Sequence, residues 1–323
     1  MSAWPTIESD PGVFSELLQK MGVSGLKVEE LYSLDQTTLA SLPHVFGLIF
    51  LFKWTPGRLD AAPSVLPIDE GLYFARQLIS NSCATQALLN IIMNIPLERI
   101  GEEYQGNHHI TFSPELMEFR NSTWLFDPDA KGIAIANCPF LREAHQSFER
   151  PAPVPMEASA AGKEEDVFHF IAFVPHSNSV YQLDGLSRHG PVKIGEFADD
   201  WVSVAVPSIQ ENIAQFGTAE IRFSVLAVVA DPREECRKMI SDLEKAIEGI
   251  EEKEDQASEE LFELRAKRAH LVDFLAAEER TFERWRVENI RRRFNYVPFL
   301  TKLIELLSQR GELFGAIESA KKH

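Results

Sequence analysis

The sequence predicts a mixed α/β (α+β) domain that is followed by a helical extension. Three observations lead to this fold class. Short apolar runs rich in β-forming residues recur between residues 10 and 225, and segments with apolar residues at helical spacing lie between them. Beyond about residue 231 the chain changes to long charged segments with an apolar residue every three or four positions, which is the pattern of helices that pack on one another.

Two helices and four strands are predicted in the first region. The helices are PGVFSELLQKMGV at 11–23 and SCATQALLNIIMN at 82–94. The strands are four short apolar runs, namely GLIFLFKW at 47–54, VFHFIAFVP at 167–175, SVYQLDGL at 179–186 and IRFSVLAVV at 221–229. Between about 138 and 166 a segment with a Pro/Ala-rich second half predicts an unusually long loop, which is either a lid or a linker.

The second region is predicted to be helical throughout. Three charged residues interrupt its heptad pattern, which favours a short antiparallel hairpin or bundle over an extended coiled coil. The last segment, from about 290, predicts two amphipathic helices, with Pro298 near the start of the first and Gly311 between them.

The composition limits the class of protein. The chain has 323 residues, of which 45% are hydrophobic, as in a packed globular protein of one large or two modest domains. Its longest apolar stretches are far shorter than the roughly 20 residues that a bilayer span needs. Three well-separated cysteines and the lack of a basic-then-apolar leader favour a reducing, cytoplasmic or nuclear setting. We therefore expect a soluble protein without a membrane partner.

The charge is strongly acidic and unevenly distributed. The net charge is −17, and residues 1–230 hold 14 basic against 28 acidic side chains, whereas residues 231–323 hold 18 against 21. Such a surface disfavours nucleic acid and suits a basic or arginine-tipped partner, although acidic residues serve solubility equally well. The triple arginine at 291–293 is too short to outweigh this balance.

Cys83 is a candidate nucleophile because of its place in the sequence. If a helix begins near Asn81 or Ser82, whose side chains can cap free backbone N–H groups, the thiol lies in the first helical turn. The positive end of the helix dipole there favours a thiolate, which is the nucleophilic form. A cysteine near a helix start is more often a small buried hydrophobe, so the position alone is a weak signal.

His169 is the histidine best suited to act as a base. A catalytic thiol needs a base that a third group orients, and these partners are adjacent in space but distant in sequence. Most of the nine histidines stand in turn-like or charged contexts, whereas His169 lies inside an apolar run that predicts a buried central strand. A polar ring buried there requires a hydrogen-bond partner.

Asp184 is predicted to be that partner. If the strands before and after the turn-like PHSN at 175–178 form a hairpin that pairs 174 with 179, His169 and Asp184 stand opposite each other, with Cβ atoms roughly 5 Å apart. Asp184 can then accept the ring N–H while the other ring nitrogen faces the thiol. Two alternatives stay open: a buried His–Asp pair that only satisfies itself, and a pairing shifted by one residue, which separates the two side chains.

Gln77 is a candidate oxyanion donor. Acyl transfer develops an oxyanion, and a side-chain amide beside the N–H of a nucleophile at a helix start can stabilise it, each such donor being worth about 3 kcal/mol. A Gln six residues before a Cys is nonspecific by itself, and a solvent-facing Gln is the usual explanation for such a residue.

Together these residues resemble the ubiquitin carboxyl-terminal hydrolase family of cysteine peptidases, in its long, proteasome-associated type. The resemblance covers nearly all of the chain and is carried by five segments: WPTIESDPGVFSELLQKMGVSGLKVEELYSL, HVFGLIFLFKW, NSCATQALLN, EEDVFHFIAFVP with VYQLDGL, and ENIRRRFNYVPFLTKLIELL. It implies a papain-like cysteine peptidase domain at 1–228, with a central antiparallel sheet flanked by helices, and a helical C-terminal extension at 229–323.

The resemblance also implies four catalytic roles. Cys83 would be the nucleophile and His169 the general base and then acid. Asp184 would orient the histidine, and Gln77 would donate to the oxyanion.

Three further features follow from the same resemblance. The loop at about 140–165 would correspond to the crossover loop that arches over the active site in this family. Tyr32 and Leu34 match positions that contact ubiquitin, although an aromatic-aliphatic pair is more often part of a core. Neither a cofactor nor a metal is implied.

The reaction implied is hydrolysis of the bond after the C-terminal glycine of ubiquitin, through a thioester on Cys83. Ubiquitin and its conjugates would be the substrates, and the acidic catalytic half would suit ubiquitin's basic tail. The C-terminal helices would dock on a proteasomal ubiquitin receptor, with a chromatin-remodelling complex as an alternative host. No nucleic acid is expected, and the location would be cytoplasmic and nuclear.

Two other classes of function fit the same residues. One is a ubiquitin-binding or proteasome-docking scaffold whose hydrolase activity is conditional or incidental, which the intact catalytic set does not exclude. The other is an unrelated cysteine hydrolase or amidase with the same Cys-His-Asp order, which the match outside the active site disfavours.

Overall fold

A six-stranded antiparallel sheet forms the centre of the computed structural model, which describes residues 4–54, 70–101, 109–150, 167–215, 222–251 and 259–321. In chain order its elements are α1 (Pro11–Lys20), β1 (Val23–Ser24), β2 (Leu26–Glu30), α2 (Gln36–Ala40), β3 (Val45–Lys53), α3 (Cys83–Ile92), β4 (Thr111–Phe112), α4 (Pro114–Thr123), α5 (Pro128–Asn137), α6 (Pro139–Gln146), β5 (Phe168–His176), β6 (Ser179–Leu183), β7 (Val192–Glu196), α7 (Val202–Gln215), β8 (Ser224–Ala230), α8 (Pro232–Glu251), α9 (Glu259–Arg293), α10 (Val297–Gln309) and α11 (Leu313–Ala320). The spatial strand order is β2-β8-β3-β5-β6-β7, while β1 and β4 pair separately. The predicted antiparallel sheet flanked by helices is therefore confirmed.

The sheet is buried on both faces because helices cover each of them. Alternate residues of β3 point to opposite sides, as the pleat of a strand requires. Ile49 packs in the larger core, which includes α1 and α3, whereas Leu48 and Phe50 pack in a second core against α7. The continuous apolar run of β3 thus reflects burial on both faces, and it places α3 firmly on one side of the sheet.

The hairpin of β5 and β6 pairs two residues away from the predicted register. His176 pairs with Ser179, and Val174 pairs with Tyr181 rather than with residue 179. The turn is tighter than predicted because only Ser177 and Asn178 form it, with φ of 46° and 63°, the left-handed geometry of two-residue hairpin turns. A slip of two residues keeps every side chain on its predicted face, whereas a slip of one would not.

Part of the predicted long loop is helical. Residues 139–146 form α6, which begins at a proline and buries Leu141, Ala144 and His145 on one side. This spacing of three and four is that of an amphipathic helix, and it corrects the prediction of a crossover loop from about 140. The part of that predicted loop at 151–165 lies outside the described residues.

The C-terminal extension is an antiparallel pair of helices followed by two shorter ones, as predicted. Three ion pairs join α8 to α9 along their length, namely Glu251–Arg265, Glu244–Arg268 and Arg237–Glu279. Pro298 lies in the first turn of α10, and Gly311, with φ of 70°, separates α10 from α11. Within the described ranges, no helix combines the length and the apolar character needed to cross a membrane.

The 35-residue helix α9 runs past α8 and packs on α1. Asn289 is buried there, and its side-chain amide donates to the Gly12 carbonyl at 3.0 Å. The approach is close at Gly12, where an added Cβ would lie 2.5 Å from Cγ of Trp285. The contacts of Asn289 and Trp285 with Gly12 thus hold the N-terminal helix α1 against α9, near the other end of the sequence.

We expect Gly12→Ala to loosen this packing and to lower the free energy of unfolding by about 1–3 kcal/mol, because the new methyl group overlaps the indole of Trp285. Urea unfolding measures the change. The matched control is Gly249→Ala in α8, where an added Cβ meets nothing within 4 Å. Alanine should stabilise that helix by up to about 1 kcal/mol, and equal behaviour of the two variants would contradict the close approach.

Candidate active site

The turn before α3 is held from outside the helix. Asn81 has a left-handed φ of 67°, and its side-chain amide donates to the Trp4 carbonyl at 3.0 Å. The hydroxyl of Ser82 donates to the carbonyl of Ile79 at 2.9 Å. Neither side chain caps the helix, so the predicted capping role of Asn81 and Ser82 is wrong. Among the described side chains, the first N–H groups of α3 consequently have no capping acceptor at the position where an anion would bind.

Cys83 is the first residue of α3 and borders a cleft. Its side chain is a free thiol with 8% of its surface exposed. The positive end of the helix dipole favours a negative charge at this position. The cleft has a volume of about 560 Å³ and is lined by residues of the N-terminal segment, α3 and β5, namely Thr6, Ile7, Asn81, Cys83, Ala84, Val167, Phe168 and Phe170.

His169 and Asp184 form the predicted hydrogen bond. Nε2 of His169 lies 2.7 Å from Oδ1 of Asp184, and the two residues are only 3% and 6% exposed. The same carboxylate oxygen accepts the backbone N–H of Leu186 at 2.9 Å. Cys83 is near enough to the imidazole to act, together with Asp184, in raising the pKa of His169. Since Nε2 faces the carboxylate, Nδ1 is the ring nitrogen left for the thiol.

The charged form of His169 is favoured by its partners. Burial acts to lower its pKa, but the hydrogen bonds with Asp184 and Cys83 outweigh burial and raise the pKa of His169 to about 9. The imidazolium is thus stabilised next to the thiol at neutral pH. This is the electrostatic setting in which a cysteine acts as a nucleophile and a histidine later returns a proton.

Gln77 lies near the start of α3, but part of its amide is already engaged. Its side-chain N–H donates to the Ile79 carbonyl at 3.1 Å, and its backbone N–H donates to the carbonyl of Gly185 at 2.9 Å. The side-chain oxygen is buried and has no hydrogen-bond partner in the described part of the chain. An amide nitrogen carries two hydrogens, so a second donor remains. The role of Gln77 as an oxyanion donor stays a prediction.

The two predicted ubiquitin contacts have different surroundings. Tyr32 is 90% exposed, which rules out a core role for its ring, whereas Leu34 packs partly against the second core. Their contact with ubiquitin stays a prediction.

A second buried histidine was not identified as important from the sequence. His145 of α6 is fully buried, and its Nε2 donates to the Pro5 carbonyl at 2.7 Å, because a carbonyl can only accept. Its Nδ1 therefore accepts the hydroxyl of Thr85 at 2.7 Å. Burial lowers the pKa of His145 to about 4, so the ring is neutral. It joins α6, α3 and the N-terminal segment, and the helical spacing of Leu141 and His145 could have indicated its burial.

A thiol at a helix start, next to a histidine that a buried carboxylate orients, defines a cysteine hydrolase. The comparisons with known proteins agree with this class. The sequence model of the protein family "Ubiquitin carboxyl-terminal hydrolase, family 1" matches residues 4–214. A second family model, "Ubiquitin carboxyl-terminal hydrolases", matches residues 268–313. The chain belongs to the ubiquitin carboxyl-terminal hydrolase family and is a cysteine-type ubiquitinyl hydrolase. The division at residue 228 stays a prediction.

Individual relatives support the family over nearly the whole chain. The sequence is 36% identical over 320 residues to ubiquitin carboxyl-terminal hydrolase ubh-4 of Caenorhabditis elegans, covering 98% of this chain and 91% of that protein. It is 34% identical to ubiquitin carboxyl-terminal hydrolase isozyme L5 of Dictyostelium discoideum, covering 98% and 95%. The crystal structure of Trichinella spiralis UCH37 bound to ubiquitin vinyl methyl ester is similar, with a TM-score of 0.63, 32% identity and coverage of 87% and 99%.

We expect Asp184→Asn to lower the pKa of His169 by about 1–3. The variant loses the negative charge of Asp184, which raises this pKa, and keeps the burial of the ring, which lowers it. In the wild type the imidazolium persists until pH rises through about 9. In the variant it should lose its proton at lower pH. NMR titration of the His169 ring protons measures both midpoints.

Asp273→Asn, on the exposed side of α9, is the control for removing one carboxylate. It should leave the midpoint of His169 unchanged. An unchanged midpoint in Asp184→Asn as well would contradict the assigned hydrogen bond.

Proposed function

We propose that this hydrolase cleaves the bond after the C-terminal glycine of ubiquitin, with Cys83 as the nucleophile. One observation carries the proposal: the Cys83 thiol at the start of α3 acts on the charge of a buried histidine, which a buried carboxylate holds at 2.7 Å. The names of the relatives indicate the substrate, since Trichinella spiralis UCH37 was crystallised with ubiquitin vinyl methyl ester.

The first half of the reaction forms a thioester. The Cys83 thiolate attacks the carbonyl carbon of the terminal glycine, and a tetrahedral oxyanion forms. When this intermediate collapses, the C–N bond breaks and the His169 imidazolium gives its proton to the leaving amine. Asp184 holds the ring in position and stabilises its charge, which is why a raised pKa of His169 suits this step.

The second half releases ubiquitin. His169 is now neutral and accepts a proton from a water molecule, whose oxygen attacks the thioester carbonyl. The C–S bond then breaks, the thiolate of Cys83 is restored, and the proton stays on His169 as imidazolium. The enzyme thus returns to its starting charge state.

The oxyanion of both intermediates needs donors. The backbone N–H of Cys83 is in the first turn of α3 and has no acceptor within the helix. The free side-chain N–H of Gln77 is the second donor in this proposal. Each donor of this kind is worth about 3 kcal/mol of transition-state stabilisation.

Ubiquitin binding is proposed to use the acidic catalytic half. Its surplus of carboxylates suits ubiquitin's basic C-terminal tail, and the exposed ring of Tyr32 together with Leu34 would contact the folded part of ubiquitin.

We expect the protein to form a covalent adduct with ubiquitin that carries a C-terminal electrophile, and Cys83→Ala to form none. Cys138 provides a matched control, because it too is a free thiol with 8% exposure at a helix start, that of α6, but burial raises its pKa and no histidine is among the described groups that act on it. Cys138→Ala should react like the wild type. Intact-mass spectrometry measures the adduct.

An adduct in Cys83→Ala would contradict the assignment of the nucleophile. A wild type that binds ubiquitin without forming an adduct would support the ubiquitin-binding scaffold instead.

The C-terminal helices are proposed to dock on a proteasomal ubiquitin receptor, in the cytoplasm and the nucleus, with a chromatin-remodelling complex as the alternative host. What supports this is a set of exposed large apolar side chains on α10 and α11, because clusters of such side chains mark interaction sites. Its members are Phe299, Leu300, Leu303, Ile304, Leu306, Phe314 and Ile317.

We expect Phe314→Glu to reduce co-purification with proteasomes at least about tenfold, because Phe314 is 82% exposed and a charge there would oppose apolar docking. Ser319→Glu on the same helix is the control and should keep association. Quantitative mass spectrometry of the purified complexes measures both. Retention of Phe314→Glu at wild-type levels would contradict docking through this surface.

A further inference from the structure

We propose that the last turn of α9 positions the N-terminal strap, residues 4–10, which forms one wall of the Cys83 cleft, and thereby sets how tightly substrate binds. Arg292 is the main positioning residue. The inference rests on the proposed hydrolysis at Cys83. It gives the C-terminal extension a part in substrate binding that is separate from docking.

One end of the strap lies against the catalytic turn. The backbone N–H of Trp4 donates to the Ser80 carbonyl at 3.1 Å, and the Trp4 carbonyl accepts the side chain of Asn81 at 3.0 Å. The next carbonyl, of Pro5, accepts the N–H of His145. Thr6 and Ile7 then line the cleft beside Cys83. Displacement of the strap would therefore move a wall of the cleft.

The other end of the strap is held by Arg292 of α9. Its guanidinium lies 3.1 Å from a carboxylate oxygen of Glu8 and 2.7 Å from one of Asp10. Asp10 also caps α1, so the arginine fixes the strap where it enters that helix. Glu8 forms a second ion pair with Arg150. The planar fork of an arginine can hold two carboxylates in a fixed geometry, which a surface lysine does less well.

Arg293, the next residue, holds the neighbouring structure. It pairs with Glu16 of α1 at 2.8 Å and donates to the Ser147 carbonyl at 3.4 Å, and its guanidinium lies 5.3 Å from the ring centre of Phe148. Two of the three arginines at 291–293, Arg292 and Arg293, thus pair with acidic groups of the catalytic half. These ion pairs give a role to the basic cluster at 291–293, to which the sequence alone assigned none.

The expected effect is on substrate affinity rather than on thiol chemistry. His169 and Asp184 lie on and after the β5–β6 hairpin, and their hydrogen bonds among the described residues do not involve the strap. Movement of Thr6 and Ile7 changes the cleft wall while leaving this pair intact. KM should therefore rise while kcat is largely kept.

The test is Arg292→Glu, which places a carboxylate against Glu8 and Asp10. With ubiquitin carrying a C-terminal fluorogenic amide, we expect KM to rise about tenfold, with kcat and the rate of Cys83 alkylation by iodoacetamide changing by less than about twofold. Amide hydrogen exchange in the strap should become faster. Arg292→Lys should recover most of the wild-type KM, since it restores the charge.

Arg286→Glu is the matched control, because among the described residues Arg286 forms its ion pair along α9, with Glu283. It should leave KM and strap exchange at wild-type values. Wild-type kinetics in Arg292→Glu would overturn the inference, and so would a joint loss of kcat, alkylation and thermal stability, which would mark Arg292 as a general stabiliser. A wild type without any hydrolysis would instead overturn the proposed function.

Discussion

The buried hydrogen bond between His169 and Asp184 is the interaction on which the rest of the structure depends. Both residues are almost wholly excluded from solvent, where an unpaired imidazolium or carboxylate would be strongly destabilising. The sheet therefore has to hold the two side chains within hydrogen-bonding distance of each other. The tight turn at 177–178 fixes the register of β5 and β6. In the strand order, β5 lies next to β3 and packs against α3, which places His169 near the start of that helix.

The surroundings of Cys83 come from distant parts of the chain. The helix start supplies free N–H groups, the β5 histidine supplies the proton acceptor, and the N-terminal strap closes one side of the cleft. Neutral His145 of α6 links α3 to the N-terminal strap without taking part in proton transfer, because burial holds its pKa at about 4. Two buried histidines thus differ in charge, since only His169 has a carboxylate partner.

Much of the fold and the contact between His169 and Asp184 could be predicted from the sequence, for physical reasons. Apolar runs predicted the central strands. The predicted register was wrong by two residues, but a shift of two leaves each side chain on the same face of the sheet, so His169 and Asp184 still meet. Contacts that depend on packing between distant elements could not be predicted. Neither periodicity nor composition indicates that Trp285 meets Gly12, or that the amide of Gln77 is partly engaged by Ile79.

Asp184 acts through His169, and a double-mutant cycle tests this dependence most directly. The values of kcat/KM would be compared for the wild type, His169→Ala, Asp184→Ala and the double variant. We expect His169→Ala to lose about 10²–10⁴-fold, and the double variant to be no slower than His169→Ala alone. Losses that multiply in the double variant would show that Asp184 has a separate function, which would contradict the account.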